Sequence, residues 1–125
     1  MSAFSEAELG YLGEGDKLGR LATVDADGAP HVVPVGWNYN RETDTIDIGG
    51  RDFARTRKFR NVAADPKVCF VVDDVLPPWR PRCVQVRGHG AALDAATWPD
   101  GTPREAIIRI TPRKVVSWGL DSDHS

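Results

Sequence analysis

The chain has 125 residues and a formal net charge of −2. That length is one domain's worth, with a core small enough to leave room for dimerisation to add burial. The near-neutral balance gives no overall basic field and argues against nucleic acid as the main partner.

In chain order, Ser5 and Glu8 form a capping box ahead of a short helix ending near Gly13. Residues 18–25 (LGRLATVD) alternate as a strand, and Asp27-Gly28 is a hairpin signal leading into a strand at 31–39 (HVVPVGWNY). The charged turn NRETD leads to a third strand at 45–49. Asp52 is placed to cap a helix from Phe53 to Ala64, which Asp65-Pro66 stops. Residues 67–74 (KVCFVVDD) read as a largely buried strand, and VLPPWRPR as a Pro-rich loop. A long strand with two glycines covers 83–93, a loop 95–104, and two last strands 105–111 and 114–118, parted at Thr111-Pro112. Short strands, tight turns and one amphipathic helix predict a small antiparallel barrel, with a two-sheet sandwich as the alternative.

The two cysteines, Cys69 and Cys83, lie in apolar strand-like runs and form no CxxC pair, so they read as buried reduced thiols. His31, His89 and His124 have no metal-ligand spacing, and no apolar run is long enough to span a bilayer. The acidic start MSAFSEAELG lacks the regions of a signal peptide, so a cytoplasmic location without membrane association is expected.

Four segments carry candidate chemistry. On the strand 31–39, His31, Val33, Val35, Trp37 and Tyr39 share one face, while Pro34 and Gly36 sit at the centre of the other. Small residues there let a flat group approach the backbone; an edge-protecting proline and a twist-permitting glycine explain them equally. Thr56-Arg57-Lys58 fall in the first turn of the predicted helix, where free N–H groups, a guanidinium, an ammonium and a hydroxyl favour an anion. A solvated basic helix face is the alternative. In VRGHGAA (86–92), Gly88 and Gly90 mark a bulge, a bend or a close approach, and the absence of a following helix argues against a dinucleotide fingerprint. The loop 76–82, with Trp79 and Arg80, reads as a contact loop or a stiff connection. No catalytic triad or paired carboxylates stand out, since Asp73 and Asp74 would point to opposite sides of a strand. Cofactor-borne chemistry needs few catalytic side chains.

The runs RLATVDADGAPHVVPVGWNY and TIDIGGRDFARTRKFRNVAADPKVCFVVDD, followed by IRITPRKVVSWG, resemble the pyridoxamine 5′-phosphate oxidase-like superfamily over roughly residues 18–119. Within it the sequence is most similar to the actinobacterial F420-dependent branch, in which a deazaflavin replaces FMN. The resemblance implies one domain over 1–125: an N-terminal helix and lead-in (1–17), a six-stranded antiparallel split β-barrel (18–119) and a tail (120–125). It also implies a homodimer with the cofactor at the interface. Thr56, Arg57 and Lys58 match the motif for the cofactor phosphate, and Val33, Pro34, Val35 and Gly36 match the strand whose backbone faces the tricyclic ring. Lys114 and Trp118 match positions on the closing strand that reach the cofactor from the partner subunit.

There are departures too. The vitamin B6 oxidases carry an arginine and a lysine on the ring-facing strand, where this chain has Val33 and Asn38, so pyridoxamine phosphate is not the expected substrate. The expected function is hydride transfer from reduced F420 to an electron-poor small-molecule acceptor. An FMN-dependent oxidoreductase, or a non-catalytic module that stores cofactor or binds haem, stands as the alternative.

Overall fold

The structure is a computed structural model that describes residues 1–120; the predicted tail therefore lies, but for Leu120, outside the described residues, as does His124. Helix α1 (Glu6–Leu12) starts with the capping box, Ser5 accepting from Glu8 N–H and Glu8 accepting from Ser5 N–H. Strands β1 (Gly19–Val24), β2 (Pro30–Val35), β3 (Trp37–Asn40) and β4 (Thr45–Gly49) follow. A 3₁₀ turn (Phe53–Arg55) precedes α2 (Arg57–Ala64), and the chain closes with β5 (Lys67–Leu76), β6 (Arg80–Leu93), β7 (Ala96–Thr97), β8 (Pro103–Arg104) and β9 (Ile107–Trp118).

Seven strands form one antiparallel sheet in the order β2-β1-β5-β6-β9-β4-β3. β2 and β3 hold its opposite edges although Gly36 alone separates them in sequence. One residue cannot span a flat open sheet, so the sheet curls and brings its two unpaired edges together at the Gly36 corner, which makes a split half-barrel rather than a two-sheet sandwich. The strand expected at 31–39 is thus two strands turning at Gly36, and the sheet has seven strands rather than six.

Three other expectations change. Asp52 does not cap the helix: it adopts a left-handed conformation (φ 48°) with no capping bond, and Thr56 caps α2 one turn later. The last two strands are one continuous β9: Pro112 keeps its place opposite Gly88, and a β-bulge beside it, where the register between Arg87 and Gly88 passes over Arg113, takes up the irregularity. Strand reaches into the two expected loops: the β5–β6 ladder runs out to Leu76 opposite Arg80, and a ribbon of two residues per strand, β7–β8, forms within 95–104 and leaves the rest as loop.

The interior is filled by Leu21, Ile46, Ile48, Phe70, Val72, Val84, Val86, Ile108 and Ile110, all with no exposed surface. Gly19 is glycine because any Cβ there would overlap the Phe70 ring. At Gly90 a Cβ would meet Val62 of α2 and Val68 at 3.0 and 3.1 Å, so the glycine lets the helix approach the sheet. α1 docks through Glu8, which accepts from Ser117 of β9 (2.6 Å), and Tyr11, which donates to Asp74 of β5 (2.8 Å). Arg82 ties both ends of that contact by bonding Asp74 and Glu14. Asp73 faces the other way and pairs with Arg20, as strand alternation requires.

Candidate functional site

At the N-terminus of α2 a cleft of about 260 Å³ is lined by Thr23, His31, Val33, Arg57, Lys58 and Asn61. Three elements build it. The Asp27-Gly28 hairpin, with Gly28 at φ 83°, sets Thr23 of β1 opposite His31 of β2. The cap at Thr56 starts α2 so that Arg57 and Lys58 project beside that edge, and Asn61 follows one turn later on the same helix face.

The floor is neutral and polar. The buried Asn61 amide donates to the buried Thr23 hydroxyl (3.0 Å), and that hydroxyl keeps its own proton to give. The rim is cationic, with Arg57 exposed and Lys58 half-buried, its ammonium 5.3 Å from the centre of the Phe53 ring. Among the described residues no carboxylate lines the cleft. The first N–H groups of α2 have no intrahelical acceptor and add partial positive charge. His31 is steadied from behind: its Nε2 lies 2.8 Å from Asp25, which also accepts from the N–H groups of Asp27 and Ala29. The His31 bond, then the Ala29 N–H, hold the Asp25 carboxyl below its usual range, and a carboxylate there makes Nε2 the protonated nitrogen.

The nine residues expected at the site divide into groups. Val33, Arg57 and Lys58 line the cleft together. Thr56 does not line it; its hydroxyl donates to Phe53 C=O (2.7 Å) and accepts from Phe59 N–H (3.3 Å). Pro34 and Gly36 lie on the exposed edge, and a Cβ on Gly36 would meet nothing within 4 Å, so the backbone there is open to a ligand. Val35 points into the core, opposite Gly19. Lys114 and Trp118 lie on β9, opposite Arg87 and Cys83 and outside the cleft of their own chain. Thr23 and Asn61 do not stand out in the sequence; the hairpin register and the helical spacing from Arg57 and Lys58 are the signals that point to them.

A second groove, of about 450 Å³, runs along β1, β5 and β6 and carries Lys67, Arg87, His89 and Arg113 around Cys69; no carboxylate lines it, although Lys67 lies 3.8 Å from Asp65. Arg113 lies 3.1 Å from His89 Nδ1, and Lys114 sits directly across the ladder from Arg87. Like charges facing each other across strands are unfavourable unless an anion joins them. By contrast Arg60, one of the arginines nearest the helix start, bonds the Arg55 C=O (2.8 Å).

The sequence profile described as pyridoxamine 5′-phosphate oxidase matches residues 6–119. The chain belongs to that family. The family binds flavin or F420 and has the split-barrel fold. A 5a,11a-dehydrotetracycline/5a,11a-dehydrooxytetracycline reductase of Streptomyces rimosus is 44% identical over 98% of this chain and 87% of its own length. At that likeness the chain is an oxidoreductase. Among solved structures, Rv2991 of Mycobacterium tuberculosis shares the fold at a TM-score of 0.74 and 21% identity, covering 98% of this chain and 89% of its own. An F420 reductase superimposes at 0.60 with 24% identity (85% and 94% covered), and a FAD-binding protein of Mesorhizobium loti at 0.66 with 19% (91% and 94%). Among the described residues no helix is long and apolar enough to cross a membrane.

Proposed function

We propose that this oxidoreductase binds coenzyme F420 and uses its reduced form to reduce a carbon–carbon double bond in an electron-poor, oxygenated polycyclic acceptor. The observation that carries the reading is the carboxylate-free cleft in which Arg57, Lys58 and His31 surround a hydrogen-bonding floor beside an open strand edge. Those residues fit a flat cofactor with a phosphate. Arg57 offers a bidentate fork, Lys58 a point charge, and the start of α2 its free N–H groups. The open edge at Val33, Pro34 and Gly36, with Val35 anchoring it in the core, is the surface for the ring. When bound, the reduced cofactor would supply the hydride to one carbon of the double bond and solvent the proton to the other, which leaves the protein to anchor and orient the two partners.

Both FMN and F420 carry a phosphate, but only F420 continues into a long anionic tail. The second groove supports the longer cofactor, because Arg87, His89 and Arg113 face solvent there with no carboxylate lining the groove, and Lys67 adds a fourth basic group, itself 3.8 Å from Asp65. The acceptor class follows from the Streptomyces rimosus relative, whose named substrates are dehydrotetracyclines. A homodimer belongs to the same reading: Val32 (66% exposed) and Trp118 (51%) are large apolar groups that a second copy would cover, bringing Lys114 and Trp118 toward the partner's cofactor.

Titration of the purified protein with F420 and, separately, with FMN, followed by tryptophan quenching, tests the cofactor. Saturable binding of F420 at least tenfold tighter than FMN is expected. Equal or tighter binding of FMN would move the protein to the flavin enzymes, and binding of neither would remove the reading. A solution mass equal to the monomer would refute the dimer.

A further inference from the structure

A further cavity lies away from the cationic cleft. It has a volume of about 650 Å³ and opens between α1 and the edge strand β3, within the ~300–1,000 Å³ typical of small-molecule sites. Leu9 and Leu12 of α1 face Trp37 and Tyr39 of β3 across it. Both aromatics are fixed from behind. Trp37 donates its indole N–H to Lys17 C=O (2.9 Å) and meets Phe70 edge-on; Tyr39 donates to Asp44 and meets Phe4 edge-on. With their polar atoms already satisfied, what they have left to offer is apolar ring surface.

The rim is of a different kind. Among the described residues neither the Asn38 amide nor the Arg41 guanidinium has a hydrogen-bond or ion-pair partner. Asp16, at φ 58° in the loop after α1, adds a carboxylate, while Lys17 is paired with Glu14 (3.0 Å). An amide, one free cation and one carboxylate make a mixed rim. It is poor for a phosphate and suited to a neutral or singly anionic molecule edged with hydroxyl and carbonyl groups. The cavity also adjoins the proposed ring surface: Trp37 follows Gly36 directly, and Val33 of the anion cleft is four residues away, or about 13 Å of extended chain.

We infer that the α1–β3 cavity is the acceptor site, taking a flat oxygenated polycycle against Leu9, Leu12, Trp37 and Tyr39 with its polar edge at Asn38 and Arg41. The inference rests on the proposed reductase function for the identity of the site's occupant, but it can be tested without turnover. Equilibrium dialysis of the purified protein against tetracycline in metal-free buffer reads occupancy directly. Saturable one-site binding is expected. Leu9→Trp, which fills the cavity, is expected to weaken it at least tenfold, and Arg41→Ala about fivefold, while F420 and FMN affinities stay within twofold of wild type. Asn38→Trp at the exposed rim gives the same reading if Leu9→Trp does not fold. The absence of saturable binding by the wild type would overturn the assignment. So would unchanged affinity in a folded, cavity-filled variant. Failure of the cofactor reading would show elsewhere, as wild-type affinity for both cofactors in Lys58→Ala.

Discussion

Lys58 and Thr56 are neighbours in one short motif, yet the structure gives them different work, and substituting each in turn separates the two roles. The Lys58 ammonium reaches the cleft half-buried, where a charge-assisted bond to phosphate is worth ~1.5–3 kcal/mol. Partial solvent access argues for the lower end, so Lys58→Ala should weaken cofactor binding about tenfold. Its effect on melting should be small, since within the protein the ammonium is held by the ring face of Phe53 and not by an ion pair. The Thr56 hydroxyl is spent inside its own turn, on Phe53 C=O and Phe59 N–H. Thr56→Ala should cost about 1 kcal/mol of stability, a fall of roughly 3–5 °C in melting temperature, with cofactor affinity changed less than about threefold. Quenching titrations and calorimetric melts on both variants give the four numbers. A Thr56→Ala protein that melts normally but loses cofactor tenfold would refute the reasoning, as would a Lys58→Ala protein that binds normally.

Three further outcomes are expected. Gly19→Ala forces a methyl into the fully buried Phe70 ring and should destabilise by ~1–3 kcal/mol, read as a lower urea midpoint. Burial pushes Asp47 up, but bonds from Arg109, Asn40 and Thr45 outweigh it and hold its carboxyl below the usual range. The stability from that lowered value is complete above the unfolded carboxylate pKa of ~3.9 and is lost as pH falls through the lower folded value. Asp47→Asn should therefore cost about 2 kcal/mol at neutral pH, with the gap to wild type narrowing near pH 2 in urea melts at both pH values. Burial pushes the Cys83 thiol up to about 11; a disulfide reagent at pH 8 should modify it about 100-fold or more slowly than the same cysteine in the unfolded chain.

Much of the fold was legible because local chemistry and tertiary structure agree. The Ser5–Glu8 box, the Asp27-Gly28 hairpin and the apolar, β-branched run at 67–74 each determine their own geometry, and each is where the sequence placed it. The failures occur where distant contacts decide. Pro34 and Gly36 mark an interrupted strand, but only the curl of the sheet shows that the interruption sends the two halves to opposite edges. Asp52 has the composition of a cap, yet the 3₁₀ turn after it passes that role to Thr56. Of the cleft, the basic motif on α2 could be read from residues alone. Its floor could not, because the Thr23–Asn61 bond joins positions 38 residues apart. The α1–β3 cavity left no trace in the sequence, since its walls come from a helix and a strand whose proximity depends on the docking of Glu8 and Tyr11 onto β9 and β5.

The single-residue junction at Gly36 has a consequence for how this chain tolerates being cut. With no slack between β2 and β3, a break there would remove the one short tie that holds the two unpaired margins of the sheet near each other and let the curled sheet open, making both edges more accessible to other chains. A break at the tip of the β7–β8 ribbon, near Gly101, would open only an exposed turn outside the main sheet. Circular permutants opened at these two places should differ sharply: the second soluble and assembled, the first prone to aggregate although it loses a single peptide bond.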